Sequence, residues 1–476
     1  MKKIYIITLT ILSLFFFIIQ NEIGKKDSKI NFIKSKIPEN IKTILNETIF
    51  VYKNQKLLKK KIISNKLMIE DSLQKLNEIP FLLGYIPFSK DFNSLNFEID
   101  NNKFTINKYK TNILNIAKHN NAKGTSYLEI FEDNIILINA NGIFSFFNKK
   151  GFENEEFKSK IINSNIKEII QYKKFYLNSR FGIKDAFIDK ENNIYISLSY
   201  EKEKDCYNTS ILKAKMNLNF LNFEKFFIPD ECINIVNDYG EFSAFHSGGR
   251  IISNKNELVV SMGEYRYRPH AQSPENIFGK IISINKDNKK IKIIAMGLRN
   301  PQGLFYDNNE DILFISEHGP NGGDEINIKK GLYQSVTNFG WPISSYGEHY
   351  PHETEKKTKN VYKKAPLYKS HKKYGFEEPL IYFNPGVAPS EILKLNMSFL
   401  ENTKNINLLL GTMGDDVSEG DKSLHFISLD DNLKIQNINI IKLNERVRDM
   451  VFDKEGNQVI MFLENSASIA LINKLN

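Results

Sequence analysis

Six short runs stand out along the chain, each a polar turn followed by an apolar or β-branched strand: FEDNIILINANGIFSF, DKENNIYISLSY, SNKNELVVSMGEY, YDNNEDILFISEHG, NTKNINLLLGTMG and FDKEGNQVIMFLEN. In each, acidic, Asn or Gly residues make the turn that lets a buried strand follow. Their starts fall roughly 50 to 65 residues apart, with one gap of about 100, and repeats of this kind built on short strands predict propeller blades. A β-sandwich array would also give short strands; the long excursions between units favour the propeller. The expected fold is all-β, a six-bladed β-propeller occupying residues 113–476.

The chain before it reads differently. Met1, Lys2 and Lys3 precede an apolar run from Ile4 to Ile19, then Gln20, Asn21 and Glu22. At about 16 residues the run is short for a membrane span of about 20 and long for a signal-peptide core of about 7–15. With no A-x-A-like cleavage site after it, residues 1–24 read as an uncleaved signal-anchor in preference to a cleaved signal peptide. Lysines on both sides orient it weakly. Residues 25–112 form a helical stalk and lead-in: Ile37-Pro38-Glu39-Asn40 opens a helical spacing through Leu45, Ile49, Leu57 and Leu58, and a second spacing runs through Leu67, Ile69, Leu73 and Leu76. The run Lys59-Lys60-Lys61 between them is a solvated face.

Composition adds little chemistry. Hydrophobic residues make up 41% of 476, which suits a globular protein, and the net charge of +9 comes from lysines scattered along the chain. Scattered charge argues against nucleic-acid binding and suits a solvated surface or an anionic ligand. The two cysteines, Cys206 and Cys232, are compatible with one disulfide in an exported protein or with two small buried thiols.

Unusual residues concentrate between Gly297 and Tyr350. In GPNGGDE, glycines let the backbone turn sharply while Asp324 and Glu325 supply hard oxygen ligands, so the loop suits calcium or, equally, a capped inter-strand turn. Arg299 and Asn300 place a donor fork beside an amide, suited to a carboxylate. Arg446 and Arg448 stand two apart, so on a strand both face one side and need an anion between them, or else pair with Glu445 and Asp449. His246, in FSAFHSGGRI, can take a proton near neutral pH, with Gly248 and Gly249 leaving room beside it; by itself it reads as an ordinary loop histidine.

Together these segments carry a resemblance. HSGGR, GEYRYRPHAQ, GLRNPQG, SEHGPNGGDEIN, GWPISSYGEHY, EEPLIYFNPGVAPSE and ERVRD, in this order, resemble the glucose/sorbosone dehydrogenase family, most closely its aldose sugar dehydrogenase branch. That family consists of six-bladed propellers using pyrroloquinoline quinone (PQQ) and calcium. The resemblance runs from about Ile162 to the C-terminus and implies oxidation of an aldose by hydride transfer to the quinone. His246 would be the general base, and Arg299, Asn300, Tyr350, Arg446 and Arg448 would contact the quinone. Glu325 and the carbonyl at Phe339 would bind calcium, with the Gly319 and Pro320 carbonyls offered to the calcium that polarises the quinone. The N-terminal apolar run predicts export to the periplasm or another extracytoplasmic space, tied to the inner membrane if the segment stays uncleaved, and the enzyme reading calls for an external electron acceptor.

Two positions depart from the family. Gly414, followed by Asp415 and Asp416, stands where the family commonly has a quinone-contacting lysine. Arg180 in RFGIKD stands where the family has a glutamine, and would return the lost charge from another blade. Gly414 also supports a competing reading, a propeller that has lost turnover and serves as a carbohydrate- or protein-binding module. A lactonase-like hydrolase would need a carboxylate-rich central channel, which the matched motifs do not supply. Substrate choice is expected to lie in long loops such as residues 347–375.

Overall fold

The computed structural model describes residues 74–114, 124–350, 364–396, 398–400 and 406–475, with scattered positions between 57 and 72 that are helical. It divides into two units, Met1–Asp71 and Ser72–Asn476, and the second contains everything that follows. The Ile4–Ile19 run lies outside the described residues. Among the described residues no helix is long and apolar enough to cross a membrane.

The second unit is mostly β, in antiparallel sheets built by consecutive strands. The polar-turn runs supply the second strand of each set: Asn134–Asn139, Asn193–Glu203, Glu257–Met262, Ile312–Glu317, Ile406–Thr412 and Gln458–Leu463. These strands are buried along most of their length, because side chains on both faces meet a neighbouring sheet, which is why they read as continuous apolar runs. The turns before five of them place Glu132, Asn192, Lys255, Asp311 and Asn457 at positive φ, the conformation tight connections demand.

Preceding each is an inner strand: Ser126–Phe131, Ile183–Ile188, Gly248–Asn254, Pro301–Asp307, Pro389–Leu395 and Val447–Asp453. Each packs on the next, and the last packs on the first. The apolar clusters lie between neighbouring sheets, as where Leu258, Val260 and Ile282 meet Tyr195 and Ile211. The ring is closed by pairing chain ends: Asn102–Lys110 runs antiparallel to Ser468–Lys474, with Ser468 opposite Lys110 and Lys474 opposite Phe104.

That closure corrects the lead-in. The sequence reading begins the β region near Ile113, whereas strands start at Tyr85, with Tyr85–Lys90, Leu95–Ile99 and Asn102–Lys110 all in the sheet. Phe104, Ile106 and Tyr109 are buried while Lys103 and Lys110 are exposed. A half-exposed closing strand has no continuous apolar run and merges with the Lys/Asn background. The two cysteines are bonded, Cys206 to Cys232, with Cα atoms 5.4 Å apart.

Candidate functional site

The residues just before, or at the start of, the inner strands converge on one cavity of about 630 Å³. Thr125 precedes the first of these strands, Arg180 the second, His246 the third, Asn300 the fourth, Ala388 the fifth and Arg446 the sixth. Tyr350, Gly414 and Arg448 line it as well. Of the residues assigned to the quinone, only Arg299 lies outside the lining. It is buried behind the wall, its Nη1 donating to the His318 carbonyl at 3.0 Å and its guanidinium 5.5 Å from the Trp341 ring centre.

His246 is held by a partner that sequence reasoning missed. Its Nδ1 lies 2.8 Å from Oε1 of Glu264, whose side chain is fully buried and also accepts from the Arg266 backbone N–H at 3.0 Å. Gly248 and Gly249 make this turn possible. Both have positive φ, and a Cβ on Gly249 would come within 2.3 Å of the Lys184 Cβ. Burial, reinforced by Arg299 and Arg266, holds the His246 pKa well below the ordinary histidine value. Burial pushes Glu264 up to about 7, with Arg299 and Arg268 pulling against it. Above that pH the ionised carboxylate fixes the proton on Nδ1 and leaves the Nε2 lone pair free to accept another. Below it a protonated Glu264 donates to Nδ1, and the other nitrogen keeps its hydrogen.

Across the cavity the arginine pair shares one acid. Arg446 Nε donates to Glu464 Oε2 at 2.9 Å and Arg448 Nε donates to Oε1, which also accepts from the Thr125 hydroxyl at 2.9 Å. Glu464 is 1% exposed, and although burial opposes it, Arg448 and Arg446 hold its pKa down to about 2. The pairing with Glu445 and Asp449 considered from sequence is not the one formed. Strand alternation turns Asp449 to the other face, where it meets Arg250. Arg180 is exposed at the rim, its guanidinium 4.2 Å from the Phe245 ring centre. Asn300 Oδ1 accepts from the Gly248 N–H at 3.1 Å and from Gln302 Nε2 at 3.0 Å, which ties two inner strands together.

Gly414 has a physical reason to lack a side chain. A Cβ there would meet Asp421 Oδ2 at 1.9 Å. Asp421 folds against this turn and accepts from the Asp416 N–H at 2.9 Å, so a side chain at 414 would have to displace the Asp421 carboxylate.

The calcium residues separate into two groups. Gly319 and Pro320 follow His318, which lines the cavity; burial, then Arg299 and Arg448, pull the His318 pKa down to about 3. The Gly319 N–H donates to Asp324 Oδ1 at 2.8 Å. Glu325 and Phe339 are buried away from the lining, where Glu325 Oε1 lies 3.0 Å from His371 Nε2 and Oε2 accepts from Asn327 Nδ2 at 3.1 Å. Among the described residues no cluster of three or more His, Cys, Asp or Glu is arranged to hold a metal ion.

Beneath the cavity floor lies a second charged cluster, also unseen in the sequence. Arg250 Nη1 contacts Asp185 at 2.9 Å, Glu391 at 2.7 Å and Asp449. All four are the third residues of their inner strands, so they point into the ring together. The channel is therefore carboxylate-rich, contrary to the sequence reading, because GIKD, APSE and RVRD each deliver an acid to the same level.

Residues 160–472 match the glucose/sorbosone dehydrogenase family model. The chain belongs to this family. It is 28% identical over 246 residues to the aldose sugar dehydrogenase YliI of Escherichia coli, covering 48% of this chain and 61% of that protein. An uncharacterised protein of Borreliella burgdorferi is 30% identical over 136 residues, covering 26% of this chain and 31% of its own. The chain thus matches less than two thirds of the length of these curated relatives. Among solved structures, the apo soluble aldose sugar dehydrogenase of Escherichia coli superposes with a TM-score of 0.57 at 19% identity, covering 75% of this chain and 97% of that one. The PQQ-bound aldose sugar dehydrogenase of Streptomyces coelicolor does so with 0.51 at 14% identity, over 76% and 96%. At these identities the structural likeness speaks to the fold.

Proposed function

We propose that this family member is a six-bladed β-propeller quinoprotein that oxidises an aldose at C1, with PQQ as its cofactor and His246 as general base. The observation that carries the reading is the convergence on one cavity of an oriented, neutral imidazole with Arg180, Arg446, Arg448, Asn300 and Tyr350. PQQ is a planar tricarboxylate, and the donor set fits it. Guanidiniums cannot shed their protons, and their forks match carboxylates two bonds at a time. Arg446, Arg448 and Arg180 would hold the carboxylate rim, with Asn300 and Tyr350 as polar contacts.

When bound, the quinone supplies a two-electron hydride acceptor that the protein itself lacks. The chain supplies the proton chemistry. Glu264 keeps the Nδ1–H in place so that Nε2 takes the C1 hydroxyl proton of the sugar, the protein's share of converting a cyclic aldose to its lactone. Phe242 and Phe245 line the same cavity as His246. The Gly319 and Pro320 carbonyls, adjoining His318, would hold calcium at the cavity wall, where it supplies Lewis-acid polarisation. Glu325 and Phe339 are not given that role, since both lie off the cavity lining with the His371 imidazole against the Glu325 carboxylate and the Phe339 carbonyl.

The Cys206–Cys232 disulfide supports placement in an oxidising, extracytoplasmic compartment. Gly414 supports a second reading, a scaffold that binds carbohydrate or protein without turnover. Reconstituting the protein with PQQ and calcium and following dye reduction with a panel of aldoses separates them. The dehydrogenase reading expects reduction with at least one aldose and a loss of about 10²–10⁴-fold in His246→Ala. No reduction with any sugar, together with no PQQ-induced change in melting temperature, would contradict it, and a fully active His246→Ala would remove the base.

A further inference from the structure

Glu325 and the Phe339 carbonyl are the two donors that family resemblance offers to calcium, and in this chain a side chain lies between them. His371 is 1% exposed and lies in the segment that begins at Lys364. Its Nε2 is 3.0 Å from Glu325 Oε1, its Nδ1 is 2.8 Å from the Ser344 hydroxyl, and the Phe339 carbonyl faces the same imidazole. The backbone is shaped to admit the ring. Gly340 has φ +91°, and a Cβ there would lie 2.7 Å from His371 Nδ1 and 2.1 Å from the Ser344 hydroxyl oxygen. Tyr346 covers one side, its ring centre 5.3 Å from the imidazole centre.

The other Glu325 oxygen is also engaged. Asn327 Nδ2 reaches Glu325 Oε2 at 3.1 Å and Glu317 Oε2 at 3.3 Å, bridging two buried carboxylates with one amide. A calcium ion takes six to eight oxygens at about 2.3–2.6 Å. It would have to evict the imidazole and turn the Asn327 amide to reach this carboxylate.

We propose that His371 permanently fills the cation seat of Glu325, so that this chain binds no calcium there and uses an imidazole N–H in its place. The segment carrying His371 is thereby clasped to the sheet strand that bears Glu325. Ser344 and Glu378 complete the clasp. Glu378 accepts from the Tyr346 hydroxyl at 2.6 Å and from the Lys372 N–H at 2.8 Å. The assignment stands apart from the quinone reading, because it concerns a buried site off the cavity and holds for a binding module as well as for an enzyme.

The test is calcium titration of the full-length, cofactor-free protein, by calorimetry and by melting temperature with calcium against chelator. The expected result is no Glu325-dependent binding in the wild type, so that any residual heat is unchanged in Glu325→Gln. His371→Gly should open the seat and gain a calcium site with a dissociation constant of about 10⁻⁴–10⁻³ M, the range of weak protein calcium sites. Wild-type binding that disappears in Glu325→Gln overturns the proposal, and so does a folded His371→Gly that gains no calcium affinity. Should His371→Gly fail to fold, the comparison of wild type with Glu325→Gln decides alone.

Discussion

At one end of the inner ring, Arg446 and Arg448 share a single carboxylate, Glu464, with Arg180 on the rim. A residue or two along the same strands the ratio reverses, and Arg250 alone lies among Asp185, Glu391 and Asp449. The two imbalances differ in how they can be relieved. Surplus buried carboxylates take up protons: burial pushes Asp185 up to about 7 and Glu391 up to about 8 despite the attraction of Arg250. Surplus guanidiniums have no such recourse, since they stay charged at every accessible pH. The acidic cluster can therefore close on itself as a structural hub, whereas under the proposed function the cationic cavity takes its balancing anion from outside. Arg250 joins the two, its Nη2 donating to the Arg448 carbonyl at 3.0 Å.

The sharpest way to break this contrast is Arg250→Leu. It leaves three buried acids without their cation, and unfolding in urea should show a loss of about 3–5 kcal/mol. A loss below about 1 kcal/mol would mean the hub carries no structural role. Arg448→Ala should do the opposite. Glu464 keeps Arg446 and Thr125, so stability changes little, while PQQ affinity measured by fluorescence titration falls by about 1.5–3 kcal/mol, the range for a charge-assisted hydrogen bond.

Acidity distinguishes the clusters as well. The raised acids of the hub favour the folded state fully below their ordinary pKa near 4, and that contribution is lost as pH rises through about 7 to 8. Glu464 works in the other direction, its contribution present above about 4.5 and lost as pH falls toward about 2. The melting temperature should accordingly fall as pH rises from about 4 to about 8, where the last of these acids has ionised, with a shallower slope in Asp185→Asn. An unchanged slope in that variant would assign the titration elsewhere. The smallest effect is expected from Arg180→Ala. An exposed guanidinium contributes no more than about 1 kcal/mol, so PQQ affinity should weaken only a few-fold. Wild-type affinity would take Arg180 out of the site.

How far the sequence disclosed this arrangement depends on burial. The second strand of each set is covered on both faces, so it appears as an apolar run and all six were visible. Asn102–Lys110, which closes the ring, is half-exposed and was not. That His246, Arg446 and Arg448 line one cavity follows the ordered motifs, but their partners were not legible. Glu264 lies 18 residues beyond His246 on the far side of a hairpin, and Glu464 lies 16 beyond Arg448. The Arg250 hub is still less visible, since its acids are 65 and 199 residues away. What places them together is their shared position as third residue of an inner strand, a regularity that emerges only once the strands are aligned in the ring. Glu325 shows the reverse limit: the motif suggested a metal ligand, and only the structure shows His371 against it.

The claim that the cationic cavity awaits an anionic quinone is tested most directly by titrating PQQ into the purified full-length protein, with calcium present, in a calorimeter at low and high salt. One-site binding that weakens with salt and weakens further in Arg448→Ala is the predicted result. No binding at either salt concentration, or binding of equal strength in wild type and Arg448→Ala, would contradict it.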